Sequence, residues 1–465
     1  MAVLDELGLR VLWDRTLRYV VNRIGMEKGD YIGAFASSGT ITFQAATGGG
    51  DDGGGDDGGG TSLDFEVDAD GYLVLPDGVK IIDGYVVLPD GTVISNGHIT
   101  VGGGGTDEFT RSIVEGPVTS LDGDFSCVRE WGFYNCGYLS TVSLPECLYV
   151  DQGAFEMCTS LRDVYLPECV SVGHHAFSDC FELRTTNIAK CSKINSDGFF
   201  NCATLESISL PACTYVGDDA FGNCLTLPSI DLPMCSIVSS RAFMDCDSIS
   251  RISLPMCTVL GQGAFLDCEA LESACLPVCM SISHAAFQSC SSLSFASLPE
   301  CTRITSSTFA MCTALLSVYI PKCTLVGYYA FSRCYSLTAI DLPLCTHVSN
   351  GAFEYCSNMS YVNLPMCTSV GADAFIGCTN ITSIALPACS VFNQRAFFNC
   401  RQLVSLDLTG CSSVPWIGSS VFYGTPMLDS TLTGSFGSIY VPSSLYDAFV
   451  VASSWSLMLS RIVSV

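Results

Sequence analysis

The sequence is poor in charge, and above all in positive charge. Lys and Arg number 20 against 46 Asp and Glu, which gives a net charge of −26 and a pI near 4.3. A surface this acidic repels phosphate backbones and anionic lipid, so the composition argues against nucleic acid as a partner. Only 14% of residues are charged and 48% are apolar, which suits a repetitive fold with a continuous core.

Long apolar runs are also missing. No stretch approaches the roughly eighteen consecutive apolar residues of a membrane span, so no membrane insertion is predicted. A secretory signal peptide is not recognisable either, because Asp5, Glu6, Arg10 and Asp14 interrupt every candidate apolar region near the N-terminus.

Constellations that carry chemistry are absent as well. The five histidines are scattered and form neither a ligand set nor a triad with a nucleophile: His98, His174, His175, His284 and His347. Paired carboxylates and phosphate-cradling loops are not visible. We therefore predict no catalytic residues, no metal and no cofactor, and a protein that is not an enzyme.

Cysteine, in contrast, is abundant and regularly spaced, and the regular positions are called here the cysteine grid. Of its 28 cysteines, 26 recur every eleven residues from Cys136 to Cys411, a regularity that no disulfide framework or metal site shows. The true period is 22, with the unit C-T-x-V-G-x-x-A-F-x-x-C-x-x-L-x-x-I-x-L-P-x. Phe recurs in it from Phe133 to Phe397. A fixed period of this length indicates a stack of near-identical turns.

The columns of the repeat predict its local structure. The segment L-x-x-I-x-L is typical of a strand, and the Pro that follows ends it. The segment x-x-A-F-x-x-C, which follows a turn-forming residue, is long enough for one helical or 3₁₀ turn. We expect an α/β solenoid of about thirteen 22-residue turns over residues 111–415, each with one short strand and one short helical turn.

The grid cysteines are expected to be reduced. Ladder neighbours are close enough for disulfides, but their side chains point in parallel, and bridging would distort a regular coil. We interpret both columns as small buried side chains beside Phe and Leu, made in a reducing compartment. Cys127 and Cys275 lie off the grid, and Cys275 occupies an outward strand position.

These blocks resemble a known family, the BspA-type leucine-rich-repeat proteins. The L-P, I-G-x-x-A-F and C-x-x-L blocks recur in register over residues 125–415, and residues 416–465 resemble the closing cap of such arrays. Members are mostly cell-surface or secreted adhesins and interaction proteins. The resemblance implies binding and offers no catalytic residues to carry over.

The N-terminal part is predicted to comprise three segments. Residues 1–46 hold an amphipathic helix and anchoring segment, residues 47–60 form a Gly/Asp linker, and residues 61–110, with two D-G-Y-x-V-L-P-D-G copies, form a small β-meander. The helix either docks on its own domain or serves as a homo-oligomerisation helix. Its first 20 or so residues also resemble phage tail and baseplate-associated proteins.

The outward strand positions hold the candidate binding residues. Both outward columns carry mainly small polar residues, so large aromatics and acids stand out there. We predict that the ligand-binding residues are Tyr165, Phe295, Tyr319, Tyr361, Asp231 and Asp341. The alternative is a sheet face that merely meets solvent.

The sequence as a whole predicts a non-enzymatic binding or adhesion protein. Its partner would be a host-surface protein or glycan, and its location a virion tail or an extracellular surface. The favoured setting is a phage tail-associated receptor-binding protein. A bacterial surface adhesin and an intracellular interaction scaffold are the alternatives.

Overall fold

The computed structural model describes the backbone of nine strands before residue 110, and the chain over residues 119–123 and 125–465. The predicted N-terminal helix and Gly/Asp linker lie outside the described residues. The domain boundaries given above stay predictions.

The earliest described strands form an antiparallel meander that leads into the repeats. Each pairs with the next along the chain, and the last, His98–Thr100, pairs in parallel with Ser120–Asp122. The strands are Tyr31–Ser37, Thr40–Ala45, Leu63–Val67, Leu73–Val74, Lys80–Ile82, Tyr85–Val87, Val93–Ser95 and His98–Thr100.

The repeats stack as a parallel β-solenoid of about 16 turns. Each turn adds one strand, formed by its L-x-x-I-x-L segment, to a first ladder. Paired strands are in register at a spacing of one repeat, so Thr141 opposes Asp163 and Ser143 opposes Tyr165. The pairing is interrupted after Ser207–Ile208 and after Ser317–Tyr319. The strands of the first ladder are Ser120–Asp122, Thr141–Ser143, Asp163–Tyr165, Thr185–Asn187, Ser207–Ile208, Ser229–Asp231, Arg251–Ser253, Ser273–Cys275, Phe295–Ser297, Ser317–Tyr319, Ala339–Asp341, Tyr361–Asn363, Ser383–Ala385 and Ser405–Asp407.

A second ladder of two-residue strands follows the Leu-Pro-x-Cys corner of each turn. From Tyr149–Val150 to Val391–Phe392 the second residue of each strand is buried, as Val150 is beside exposed Tyr149. The strands are Glu108–Phe109, Cys127–Val128, Tyr149–Val150, Ser171–Val172, Lys193–Ile194, Tyr215–Val216, Ile237–Val238, Val259–Leu260, Ser281–Ile282, Arg303–Ile304, Leu325–Val326, His347–Val348, Ser369–Val370, Val391–Phe392 and Trp416–Ile417. The prediction of one strand per turn is therefore wrong, and the count of about thirteen turns is not confirmed.

The predicted helical turn is also wrong: in residues 125–411, the x-x-A-F-x-x-C segments form successive β-turns. Their N–H groups alternate between two kinds of acceptor. Cys158 N donates to Phe155 O three residues back at 3.1 Å, whereas Phe155 N donates to Ala176 O in the next turn at 2.8 Å. Met157, with φ 61°, is left-handed and cannot continue a helix. Because half of these donors bond to the neighbouring turn, the fold is a β-solenoid and the α/β label is incorrect.

The core is a set of side-chain columns along the solenoid. The Phe residues that recur every 22 positions from Phe133 to Phe397 are fully buried, and successive rings are stacked with centroids 5.1 to 5.6 Å apart. Leu and Cys columns flank them without exposure to solvent. Each turn thus buries its apolar residues only against the turns on either side.

The C-terminal segment covers the end of this core. Phe422 extends the Phe column, 5.8 Å from Phe397, and Trp455 packs against Phe422 and Phe449. The Trp455 indole N–H donates to Pro415 O at 2.9 Å. The described helices lie here, namely the 3₁₀ helices Ser430–Leu432, Ser443–Leu445 and Ser453–Arg461 and the α-helix Tyr446–Val451, with strands Ser438–Val441 and Ile462–Ser464.

Candidate functional site

The outer surface of the first ladder, called here the strand face, is built from alternate residues of each strand. In Asp163–Tyr165 the first and third residues are exposed and Val164 is buried. The same alternation follows in nearly every turn because successive strand side chains point to opposite sides. The strand face therefore carries two parallel rows of outward side chains with the backbone between them.

The six predicted binding residues all project from this surface. Tyr319 and Tyr361 are each 55% exposed, Tyr165 is 48% exposed and Phe295 is 38% exposed. Asp231 and Asp341 are exposed on the same face. Their placement agrees with the sequence interpretation, and their role as ligand contacts stays a prediction.

The fold brings four of the six residues together and keeps two apart. Phe295, Tyr319, Asp341 and Tyr361 lie on strands of four successive turns. At about 4.8 Å per turn, this cluster extends over roughly 15 Å. Asp231 lies three turns before Phe295, and Tyr165 three turns before Asp231, so neither reaches the cluster.

Hydrogen bonds along the ladder hold the acidic side chains in place. Asn363 Nδ2 donates to Asp341 Oδ1 at 2.7 Å, and Thr185 Oγ1 donates to Asp163 Oδ1 at 3.0 Å. Both bonds join positions one repeat apart. They orient a carboxylate while leaving its second oxygen free to accept from a ligand.

A groove near the start of the repeats was missed by sequence reasoning. It has a volume of about 390 Å³ and is lined by three successive strands: Thr141–Ser143, Asp163–Tyr165 and Thr185–Asn187. A signal was present in the sequence, because Thr186 and Ala189 depart from the Val/Ile and Pro columns of the repeat. Such departures mark places where packing alone does not choose the residue.

Comparison of the sequence with known protein families agrees with the repeat fold. The sequence model of the BspA type leucine rich repeat region matches with six copies, in overlapping segments over residues 119–206, 192–316, 280–404 and 324–443. The chain belongs to the BspA-type leucine-rich-repeat family. Proteins of this kind are generally binding or scaffold proteins rather than enzymes. The match begins at residue 119 and does not reach the segment that resembles phage proteins.

Solved leucine-rich-repeat structures resemble this BspA-type chain. A leucine-rich repeat protein from Bacteroides ovatus is 20% identical, with a TM-score of 0.48, and the alignment covers 74% of this chain and 88% of that one. A leucine rich cell surface protein from Faecalibacterium prausnitzii is 19% identical, with a TM-score of 0.36, and the alignment covers 79% and 97%. No curated protein sequence matches the chain.

Charged side chains stack along the turn segments of the BspA-type repeats, away from the strand face. His175 Nε2 lies 3.7 Å from Asp197 Oδ2, and Arg241 binds Asp219 through two hydrogen bonds of 2.8 Å. The pKa of Asp197 is raised, mainly because the carboxyl group is partly buried. The nearby Asp219 also raises this pKa, and His175 partly offsets the effect. Burial also raises the pKa of Glu156. The His175–Asp197 and Arg241–Asp219 pairs link neighbouring turns. No group of three or more His, Cys, Asp or Glu in the described chain could hold a metal ion.

The cysteines are free thiols, and almost all are buried. Those after Ala-Phe donate to a backbone carbonyl of the preceding turn, as Cys268 Sγ does to Phe243 O at 3.0 Å. Burial raises the pKa of Cys257 to about 11 and that of Cys224 to about 12. Cys275 is exposed on the strand face, as its outward position predicted. The columns thus serve as packing, with Cys136 partly buried and Cys275 exposed among the described cysteines.

No helix in the described part of this BspA-type chain is long and apolar enough to cross a membrane.

Proposed function

We propose that this chain is a non-enzymatic adhesion protein that binds a host-surface protein or glycan through its strand face. The observation that carries the proposal is the exposure of Tyr319 and Tyr361, each 55%, at positions where other turns use small polar residues. Packing does not require these rings. Aromatic side chains on a rigid scaffold are the usual anchors of a binding surface.

The anchor cluster has the extent and chemistry of an interface centre. Phe295, Tyr319 and Tyr361 supply apolar area, while Asp341 supplies a carboxylate held by Asn363. Strand pairing fixes Phe295 relative to Tyr319, and Asp341 relative to Tyr361, before any partner arrives. A preorganised surface loses little conformational entropy on binding, which favours affinity.

For the setting we propose a phage tail and a receptor-binding role, on the resemblance of the N-terminal residues. A bacterial cell surface is the alternative, and membership of the BspA-type family favours it. Immunogold labelling of purified virions and of bacterial cells with an antibody against the solenoid separates these two. Label on the cells alone would overturn the phage setting.

The binding face is tested with two matched tyrosines. Tyr319 and Tyr328 belong to the same turn and are both 55% exposed, but Tyr328 lies on the turn segment. We expect Tyr319→Ala, combined with Tyr361→Ala, to lower attachment to host cells by at least about thirtyfold, the equivalent of about 2 kcal/mol for a single anchor. Tyr328→Ala should attach as the parent does, and both variants should keep the parent melting temperature.

The opposite pattern would place the functional surface on the turn segments. If Tyr328→Ala loses attachment while the Tyr319 variant keeps it, the partner binds to the turn segments and not to the strand face. Loss in neither variant would show that these tyrosines are not anchors.

A further inference from the structure

The groove of about 390 Å³ is an open, shallow recess in the surface of the sheet. Its two walls are the outward rows of the strand face, and its floor is the backbone at Val142, Val164 and Thr186, whose side chains are buried. The rows stand roughly 7 Å apart, two residues along a strand. Pockets for small ligands have volumes of about 300–1,000 Å³, so a sugar ring fits here.

The walls offer hydrogen-bonding groups of both kinds. One wall consists of Thr141, Asp163 and Thr185 and the other of Ser143, Tyr165 and Asn187. Hydroxyl groups donate and accept, the carboxylate accepts, and the amide does both. The hydrogen bond from Thr185 orients the Asp163 carboxylate. On the opposite wall, Asn187 and Tyr165 are exposed, so their amide and hydroxyl groups can bond to a ligand.

Tyr165 adds an aromatic surface to this polar recess. It is 48% exposed, and its neighbours on the same wall, Ser143 and Asn187, are too small to cover the ring. A saccharide presents apolar C–H groups on one side of its ring and hydroxyl groups at the edge. Such a molecule can stack on an aromatic ring while its hydroxyls bond to the facing polar wall.

Charge and sequence narrow the choice of ligand further. Asp163 is the one charged residue among those that line the groove, so an anionic sugar would meet a carboxylate without a compensating cation there.

The floor contains Thr186, 8% exposed, whose hydroxyl has no partner within the described chain. A buried unpaired hydroxyl lowers stability, so packing does not explain why this turn departs from the Val/Ile column.

We infer that the groove between Thr141–Ser143 and Thr185–Asn187 binds a neutral saccharide. The ring stacks on Tyr165, and its hydroxyls bond to Asp163 and Asn187. This inference deepens the proposed adhesion function, on which it rests, and assigns the saccharide to a subsite separate from the Phe295, Tyr319 and Tyr361 cluster.

The test is a glycan array of neutral and anionic saccharides, probed with the full-length labelled protein. We expect binding to one or more neutral glycans, weakened at least about tenfold by Tyr165→Ala and by Asp163→Ala. Tyr149→Ala and Asp247→Ala are the matched controls, with the same residue types exposed away from the strand face, and should bind as the parent does. Tyr319→Ala is included for the attachment assay. Competition by the corresponding free methyl glycoside should confirm a small-ligand site.

Three results would overturn the inference: no binding to the array, binding only to anionic glycans, or binding that Tyr165→Ala leaves unchanged. Attachment to host cells is measured in parallel with the same variants. Loss of attachment in Tyr319→Ala with a silent array sinks the saccharide site and leaves the adhesion proposal standing. Sugar binding by the parent, without any effect of Tyr319→Ala on attachment, would refute the anchor cluster and leave the saccharide site standing. If Tyr165→Ala lowers attachment while sugar binding is absent, the groove contacts a protein.

Discussion

Truncating one ring of the Phe column should reveal how the stack is stabilised. Phe265 is fully buried, with ring centroids 5.1 Å from Phe243 and 5.6 Å from Phe287. A Phe→Ala change in a core typically costs about 3–5 kcal/mol, a range that already includes lost aromatic pairs, each worth about 0.5–1.5 kcal/mol. Because the adjacent rings belong to separate turns, neither can close the cavity without moving its own backbone. We expect Phe265→Ala to cost about 4–5 kcal/mol, the upper end of the core range.

The expected loss should also be local. Turns contact only their neighbours, so weakened coupling at one position allows the two halves to unfold separately. Hydrogen exchange followed by mass spectrometry should show faster exchange in the turns around Phe265, and urea unfolding should become broader or biphasic. Gln262→Ala, at an exposed position three residues earlier, is the control and should change little. Equal destabilisation by the two variants would refute the assignment of the Phe column as the core.

Further predictions concern single positions. Gly351 is left-handed, and a Cβ there would lie 2.4 Å from the Tyr329 ring, so Gly351→Ala should lower the melting temperature more than Gly263→Ala, whose nearest contact would be 3.4 Å. This additional fall in melting temperature should vanish when Gly351→Ala is combined with Tyr329→Ala. If it is unchanged in the double variant, the contact with the Tyr329 ring is not its cause. Thr186→Val should raise the free energy of unfolding by about 1 kcal/mol, because it removes an unpaired buried hydroxyl, and a lower urea midpoint would show a hidden partner. Alkylation of the native protein at pH 8, read by peptide mapping, should label Cys275 before the buried grid cysteines, and uniform labelling would exclude a stable stack.

Much of the strand face could be predicted because outward positions follow from alternation alone. Once L-x-x-I-x-L is identified as a strand, the residue between the last two core positions must point away from the core, as Tyr319 does. The groove could not be predicted in this way. It depends on which side chains in neighbouring turns are small enough to leave a recess, and that relation joins Thr141, Asp163 and Thr185 across two repeats.

The turn segments show where local interpretation fails. Segments such as Asp151–Cys158 have the length of a helical turn, and small or apolar residues such as Ala154 do not disfavour one. The decisive hydrogen bonds, from Phe155 N to Ala176 O and from Met157 N to Ser178 O, join residues more than twenty positions apart. A residue such as Met157 adopts a left-handed conformation because the neighbouring turn supplies these acceptors.

The sequence by itself determined the period, the buried columns and the strand that bears the candidate binding residues. A strict 22-residue repeat places equivalent side chains above one another, whatever the exact path of the coil. Only the tertiary structure decided that each turn contains two strands and no helix, and that three neighbouring strands enclose a groove. The reason is that these features arise from hydrogen bonds and side-chain gaps between turns, which no single 22-residue unit contains.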